Sequence, residues 1–167
     1  KMGVKNNHLI LMYQTHSNKV IEIKKNNYNK KLHSDAMVTK MRGIALGVVT
    51  ADCVPILIYD RKNKIIGCIH AGWRGAISGV IKNTILKIRK LNSDNKIYAT
   101  IGPCIGKESY EVDLKFFKEF VKKSNKNKKF FTIKNRNKKL FNLREYVAKK
   151  LSEQNVVIDH VNHDTFK

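Results

Sequence analysis

At 167 residues with 42% apolar and 28% charged positions, the chain suits one globular domain that buries roughly 70% of its unfolded surface. No run approaches the roughly 18 apolar residues of a membrane span, and no apolar signal-peptide core opens the chain, so a cytoplasmic protein with no membrane partner is expected. Three cysteines, an odd number, argue against a disulfide framework and for reduced thiols available as ligands or nucleophiles.

The net charge of +21 lies far above the roughly 2–8 units of an ordinary small domain and would attract polyanions. The basic residues are 28 lysines against six arginines, whereas bidentate phosphate and base recognition favours arginine. They are mixed with Asn and Ile, as in Lys24-Lys25-Asn26-Asn27 and Asn125 to Lys129, the mixture a genome rich in A and T encodes. Solvated lysine faces therefore weigh more than a nucleic-acid surface, and any nucleic-acid binding is expected to be non-specific.

In chain order, strands are expected over Leu9–Tyr13, Val20–Ile23, Ala36–Thr39, Ile44–Thr50, Val54–Tyr59 and Ile65–Ile69. Ile77, Val80, Ile81, Thr84, Ile85 and Ile88 then form one helical stripe, and a strand follows over Ile97–Ile101. Asp113 can cap a helix that buries Phe116, Phe117, Phe120 and Val121. Residues 122–139 read as a Lys/Asn-rich insertion, a mobile hairpin or loop around Phe130–Ile133. Asn142 with Glu145 three positions on has the capping-box pattern ahead of Val147 and Leu151, and Val156–Val161 closes the series as a strand. Several strands follow one another without an intervening helix, which favours α+β with a mixed sheet over a doubly wound parallel sheet.

Three polar clusters interrupt this apolar framework. His70-Ala71-Gly72-Trp73-Arg74-Gly75 lies between a strand and a helix, where glycines permit close backbone approach and free N–H groups can receive an anion beside Arg74. Trp73 is either a stacking face for a planar ring or a plug for the core. Thr50-Ala51-Asp52-Cys53-Val54-Pro55 places an Asp-Cys pair between two apolar strands, which costs stability unless both are partnered. Gln14-Thr15-His16-Ser17 ends the first strand. Together these clusters offer two imidazoles and a thiolate at strand termini. Catalytic zinc sites use three protein ligands and leave the fourth position open.

These segments, with Asp35-Ala36-Met37-Val38-Thr39, Ile101-Gly102-Pro103-Cys104-Ile105-Gly106 and Tyr110-Glu111-Val112, occur in one order over residues 10–121. The chain resembles the YfiH-like family, described as laccase-domain polyphenol oxidases and as purine nucleoside phosphorylases with adenosine deaminase activity. The resemblance implies an α+β fold, a mixed β-sheet sandwich with flanking helices, over a single domain spanning 1–167. It implies metal ligands at His16, Cys53 and His70, with Zn2+ as the metal and Cu2+ as the alternative. It further implies phosphorolysis of adenosine, inosine and methylthioadenosine to free base and ribose 1-phosphate, together with deamination of adenosine. Purine nucleosides and phosphate are the expected partners, and a homodimer stays open. Members carry further residues before the position matching Lys1 and a Cys-Thr element near their ends, where this chain has Asp164-Thr165. The chain thus reads as lacking the family's N-terminal segment and extreme C-terminus.

Within that frame Cys53 and His70 form the reacting centre. Asp52, beside a ligand, is the candidate proton shuttle, its bland alternative being to orient a ligand through a hydrogen bond. Arg74 is the candidate phosphate contact, its alternative being a structural ion pair with Asp52. Zinc lowers the pKa of water toward neutrality, which suits loss of ammonia from C6 of adenine. Two other activities share these residues: a copper polyphenol oxidase, and a cysteine hydrolase with Cys53 as nucleophile and His70 as base, of the kind that edits cell-wall precursors. With six histidines and no His-x-His pair, the chain is short of the ligands a trinuclear copper cluster requires. Cys68, two residues before His70, and Cys104 read as small buried apolar fillers.

Overall fold

A computed structural model describes residue 4 and residues 8–91 and 96–167. Its frame is a six-stranded mixed sheet. The strands are β2 (Val20–Glu22), β3 (Ala36–Thr39), β5 (Val54–Asp60), β6 (Ile65–Ala71), β7 (Ile97–Ile101) and β11 (Val156–His160), in the order β11-β7-β5-β6-β3-β2. The outer pairs β11/β7 and β2/β3 are parallel, and the three inner pairs are antiparallel. The β5–β6 hairpin shows why antiparallel pairing dominates the centre. Asp60 ends β5 and its carboxylate accepts bonds from the Asn63 backbone N–H (3.1 Å) and the Asn63 side chain (2.8 Å), closing a tight turn.

Along β5 the pattern alternates, with Val54, Ile56, Ile58 and Asp60 buried and Leu57 and Tyr59 exposed. The buried side meets α2 (Val80–Lys90) through Val80, Ile81, Ile85 and Ile88, and α4 (Leu143–Ser152) through Tyr146, Val147 and Leu151. Each such side chain contributes roughly 1.5–3 kcal/mol on burial. The opposite side, at β3 and β6, is covered by a second cluster of Ile10, Met12, Ile23, Leu32, Met37, Ile44 and Cys68.

The helical stripe from Ile77 to Ile88 is broken rather than continuous. Gly79 at φ +99° ends α1 (Trp73–Ser78) and starts α2, so the chain turns where a side chain would be strained. The expected strands at Leu9–Tyr13 and Ile44–Thr50 shrink to β1 (Leu9–Ile10) and β4 (Ala45–Leu46), which pair only with each other. Beyond them Met12 packs into the second apolar cluster, Tyr13 bridges to His33, and the Val49 backbone bonds the Gln14 side chain.

The 122–139 insertion is more ordered in its contacts than a loop. A 3-10 turn over Asn125–Phe130 leads into β9 (Phe131–Ile133), which pairs with β10 (Lys138–Phe141), and β10 pairs with β8 (Glu111–Asp113). Phe130 and Phe141 anchor the hairpin by packing with Phe120 of α3 (Leu114–Lys123) and Tyr146 of α4. Asp113 caps α3 by accepting from Phe116 N at 2.7 Å, as its position suggested. Asn142 likewise accepts from Glu145 N, but its own N–H goes to Phe130 O, so the capping box is only half made.

Candidate metal centre

The polar clusters converge where β6 ends and β3 and β5 begin. His70 is the penultimate residue of β6, opposite Pro55 of β5 and one step past Ile69, which pairs with Ala36. Cys53 and Asp35 immediately precede β5 and β3, so the register delivers all three to one edge of the sheet. His16 arrives from the loop after β1. Ligand atoms of His16, Cys53 and His70 all lie within 4.8 Å of one another. Cys53 Sγ is 3.8 Å from His16 Nε2, and the two imidazole rings meet edge to face at 4.9 Å. Bonds of about 2.3 Å to sulfur and 2.0–2.1 Å to nitrogen at tetrahedral angles put S and N roughly 3.6 Å apart, so this set fits one metal ion.

The loops that carry the ligands are bolted together. Gln14 donates from Nε2 to Val49 O (2.7 Å) and accepts at Oε1 from Val49 N (2.9 Å), tying the His16 loop to the strand end that leads to Cys53. Asn18 Nδ2 donates to Ser78 O, and Asn83 Nδ2 donates to Asn18 O, fixing the far side of the loop to α1 and α2. Gly72 is required by contact. A Cβ there would sit 2.6 Å from His16 Cδ2 and 2.9 Å from Cys53 Sγ.

Asp35 organises the cluster, a role its place in the sequence did not reveal. It is 0% exposed, and its Oδ1 accepts from His70 Nδ1 at 2.8 Å and from His16 N at 3.0 Å. Its Oδ2 accepts from Ser17 N (2.6 Å), Ser17 Oγ (2.7 Å) and Thr15 N (3.2 Å). Burial alone would raise the Asp35 pKa, but the bonds from Ser17, His70 and Thr15 outweigh it and hold the carboxyl below its ordinary value. Two consequences follow. His70, 4% exposed, has Nδ1 committed to Asp35 and so presents Nε2 to the cluster. His16 is held at φ +57°, a left-handed conformation uncommon outside glycine, by the bond from its own N–H.

Among the described residues Asp52 makes no side-chain hydrogen bond to His16, Cys53 or His70. Its Oδ1 accepts from Thr165 Oγ1 at 2.7 Å, and its backbone carbonyl accepts from Ile105 N. Nor does Arg74 pair with it among the described residues. Arg74 is exposed and lies over the Trp73 ring at 4.8 Å. Trp73, half-buried, packs against Phe116 (4.8 Å) and Phe120 (6.1 Å), which joins its ring to the edge of the core. Cys68 faces Met37 in the second cluster, where burial pushes its thiol up to about 12. Cys104 is buried too, and burial pushes it up to about 11. Burial, then the charges of Asp52 and Asp35, also raise the Cys53 thiol. A bound cation would oppose that shift, because it favours the thiolate.

Two further residues shape the surroundings: Tyr110, from one of the ordered sequence segments, and Arg144, which no sequence motif marks. Tyr110 packs against Phe116 and Phe141, and burial pushes its phenol up to about 12, with the charge of Cys53 raising it further and that of Arg74 lowering it. Arg144 donates to the carbonyls of Val161 (2.5 Å), His163 (2.7 Å) and Gly102 (3.3 Å), clamping the segment that carries Asp164 and Thr165 beside the Gly102–Gly106 loop. Asp164 completes that clamp by accepting from Gly106 N (2.9 Å) and Ser109 Oγ (2.7 Å). Among the described residues His16, Cys53 and His70 form the one grouping of such side chains that could hold a metal.

Comparison with known proteins places these features in context. A family model described as "Multi-copper polyphenol oxidoreductase laccase" matches residues 1–167. A purine nucleoside phosphorylase of Rickettsia prowazekii is 37% identical over 160 residues, covering 95% of this chain and 66% of that protein. An adenosine deaminase from an unknown prokaryotic organism is 34% identical over 131 residues, covering 73% of this chain and 50% of its own length. Among solved structures, the hypothetical protein YfiH of Bacillus licheniformis superposes with a TM-score of 0.89 at 24% identity, over 97% of this chain and 66% of that one. The chain thus spans at most 66% of the length of these relatives, and the shared part is the α+β fold just described.

Proposed function

This chain belongs to the YfiH-like family, whose model is described as multi-copper polyphenol oxidoreductase laccase, and from that premise we infer a zinc-dependent purine nucleoside enzyme. The observation that carries this reading is the His16–Cys53–His70 cluster with Asp35 on the far nitrogen of His70. Zinc at such a three-ligand site supplies a Lewis acid and a water of lowered pKa. The chain's own residues do the rest. Asp35 keeps His70 in the tautomer that offers Nε2, and Gly72 keeps the floor of the cluster clear. Asp52, with one carboxylate oxygen on Thr165, has the other available to carry a proton to or from a bound nucleoside. Arg74, exposed four positions after His70 and without an ion-pair partner among the described residues, supplies the charge that holds phosphate for attack at C1′ of inosine, adenosine or methylthioadenosine. The relatives named purine nucleoside phosphorylase and adenosine deaminase support both reactions.

Copper polyphenol oxidation fits less well. The described residues bring three ligands together at one point, where a multi-copper centre needs several such sets. Cu2+ can still displace Zn2+ at the same three ligands. Cysteine hydrolysis is favoured by one observation, the Asp35–His70 pair, which resembles the base and orienter of a nucleophilic triad. Burial and the charges of Asp52 and Asp35 raise the Cys53 thiol, which disfavours the thiolate that a nucleophile and a metal ligand both need, and a bound cation is what would restore it.

One experiment separates the three. Protein purified without added metal is analysed for metal content, then assayed for phosphate-dependent release of base from inosine and for loss of ammonia from adenosine, with the Rickettsia enzyme as reference. Close to one zinc per chain and turnover of either nucleoside is the expected result. Metal-free protein that hydrolyses a thiol-sensitive ester or amide would replace this proposal with the cysteine enzyme.

A further inference from the structure

Residues 161–166 contribute no side chain to the core. Val161 is 46% exposed and Phe166 67%, and none of the side chains between them is buried. Apolar packing therefore does not account for where this segment lies. Polar bonds do.

The segment runs as a ladder beside the loop that follows β7. Val161 N donates to Ile101 O at 2.8 Å, Cys104 N donates to His163 O at 3.3 Å, and Thr165 N returns to Cys104 O at 3.2 Å. Cys104 and Asp164 are the paired residues of this parallel bridge. Arg144 of α4 holds the outer side through the carbonyls of Val161 and His163, and the Asp164 carboxylate holds the inner side through Gly106 N and Ser109 Oγ. Backbone and side chains of three separate stretches thus fix a segment that buries almost nothing.

What the ladder delivers is one hydroxyl. Thr165 Oγ1 donates to Asp52 Oδ1 at 2.7 Å, and the Asp52 carbonyl accepts from Ile105 N at 3.0 Å. Asp52, half-buried and directly ahead of Cys53, is therefore held at its side chain by one rail of the ladder and at its backbone by the other. A neutral bond at an exposed position is worth little when both partners must be ordered to make it. Here the other bonds of the ladder already order Thr165, so its hydroxyl has only the rotamer freedom of one short side chain to offset.

We propose that Thr165 is a positioning residue for the nucleoside reaction, holding the Asp52 carboxylate in one rotamer with its second oxygen left for the proton. The inference rests on Asp52 as the proton carrier of the function proposed above. A group that transfers a proton must stay within hydrogen-bond reach of its target, and an aspartate free to turn spends much of its time elsewhere. The opposing account makes the bond a tether that fastens residues 161–166 to the body of the protein, with no consequence for Asp52.

Thr165→Val keeps the shape of the side chain and removes the hydroxyl, and Thr165→Ser keeps the hydroxyl. In the zinc-loaded whole chain, Thr165→Val should lower kcat for adenosine deamination about tenfold with KM within about twofold of the parent, and Thr165→Ser should restore kcat to within about twofold. In an Asp52→Ala background, itself slowed about 100-fold, Thr165→Val should cause no further loss, because the two residues act as a unit. A second measurement needs no turnover. Hα–Hβ coupling constants of Asp52 should report one χ1 rotamer in the parent and in Thr165→Ser, and an average over rotamers in Thr165→Val. The same loss from Thr165→Val in both backgrounds, no rescue by serine, or couplings that Thr165→Val leaves unchanged would each overturn the assignment. A parent that turns over neither nucleoside would count against the proposed reaction instead, and the couplings would still decide whether Thr165 fixes Asp52.

Discussion

Replacing Asp35 by Asn tests the organisation of the metal centre most directly, because the change keeps size and removes only charge and one acceptor. The amide can face two ways. With Nδ2 in place of Oδ1 it meets the N–H groups of His16 and His70, now at 3.0 and 2.8 Å from oxygen. With Nδ2 in place of Oδ2 it meets the N–H of Ser17 at 2.6 Å and of Thr15 at 3.2 Å. Either way two donors face a donor in a fully buried place, which costs about 1–3 kcal/mol per group, and the charge assistance to the remaining bonds is lost. In the first orientation the left-handed His16 conformation, worth about 1–3 kcal/mol of strain, also loses the bond that offsets it. A total near 3–5 kcal/mol is expected, matching the loss on breaking a buried ion pair. At roughly 2–4 °C per kcal/mol for a chain of this size, the melting temperature should fall by roughly 6–20 °C. Metal affinity should fall about 10- to 100-fold, because His70 is no longer held with Nε2 toward the ion. Competition titration with a chromophoric chelator, on protein checked for folding by near-UV circular dichroism, measures the second effect apart from the first. Wild-type metal affinity together with a melting temperature within about 2 °C of the parent would refute the account of Asp35.

Four other outcomes follow from the same geometry. Cys53→Ala should empty the metal centre while Cys104→Ala leaves metal content unchanged, read by metal analysis after dialysis, since Cys104 is buried away from the two imidazoles. Gly72→Ala should lower metal affinity at least about tenfold, because its Cβ would press on His16 and Cys53, and overpacking of this kind costs about 1–3 kcal/mol. A chelator titration matching the parent would show that the loops yield. Arg74→Ala should keep metal and melting temperature but lower phosphate-dependent inosine cleavage roughly ten- to a hundred-fold, with adenosine deamination less affected. Parallel loss of both activities with a lowered melting temperature would make Arg74 structural. Bonds from Ser109, Gly106 and Phe166 depress the Asp164 carboxyl to about 2. Its contribution is therefore complete above the ordinary carboxylate value of about 3.9 and is lost as pH falls through about 2. Carbon-detected NMR titration of Asp164 reads this, and a midpoint near 4 would mean that the clamp on residues 102–106 is not formed.

Much of this protein is legible along the chain. Apolar alternation and helical spacing mark the six main strands and the helices, because burial of one face depends on local periodicity. The Gln-Thr-His, Asp-Cys and His-Ala-Gly-Trp-Arg-Gly segments mark three candidate ligands, because such polar residues are costly inside apolar runs. What the chain order does not contain is which atoms meet. Asp35 reads as the polar start of a strand, and only the β3–β6 register brings its carboxylate to His70 and the Gln14–Ser17 loop. Asp52 sits beside Cys53 in sequence, yet the turn directs it to Thr165, 113 positions away. The continuous stripe from Ile77 to Ile88 conceals the break at Gly79, since periodicity reports which face is apolar and not where backbone φ changes sign. Phe130 becomes core, and Trp73 packs on the core, only because α3 and α4 are folded against them, a consequence of long-range packing that no local pattern encodes.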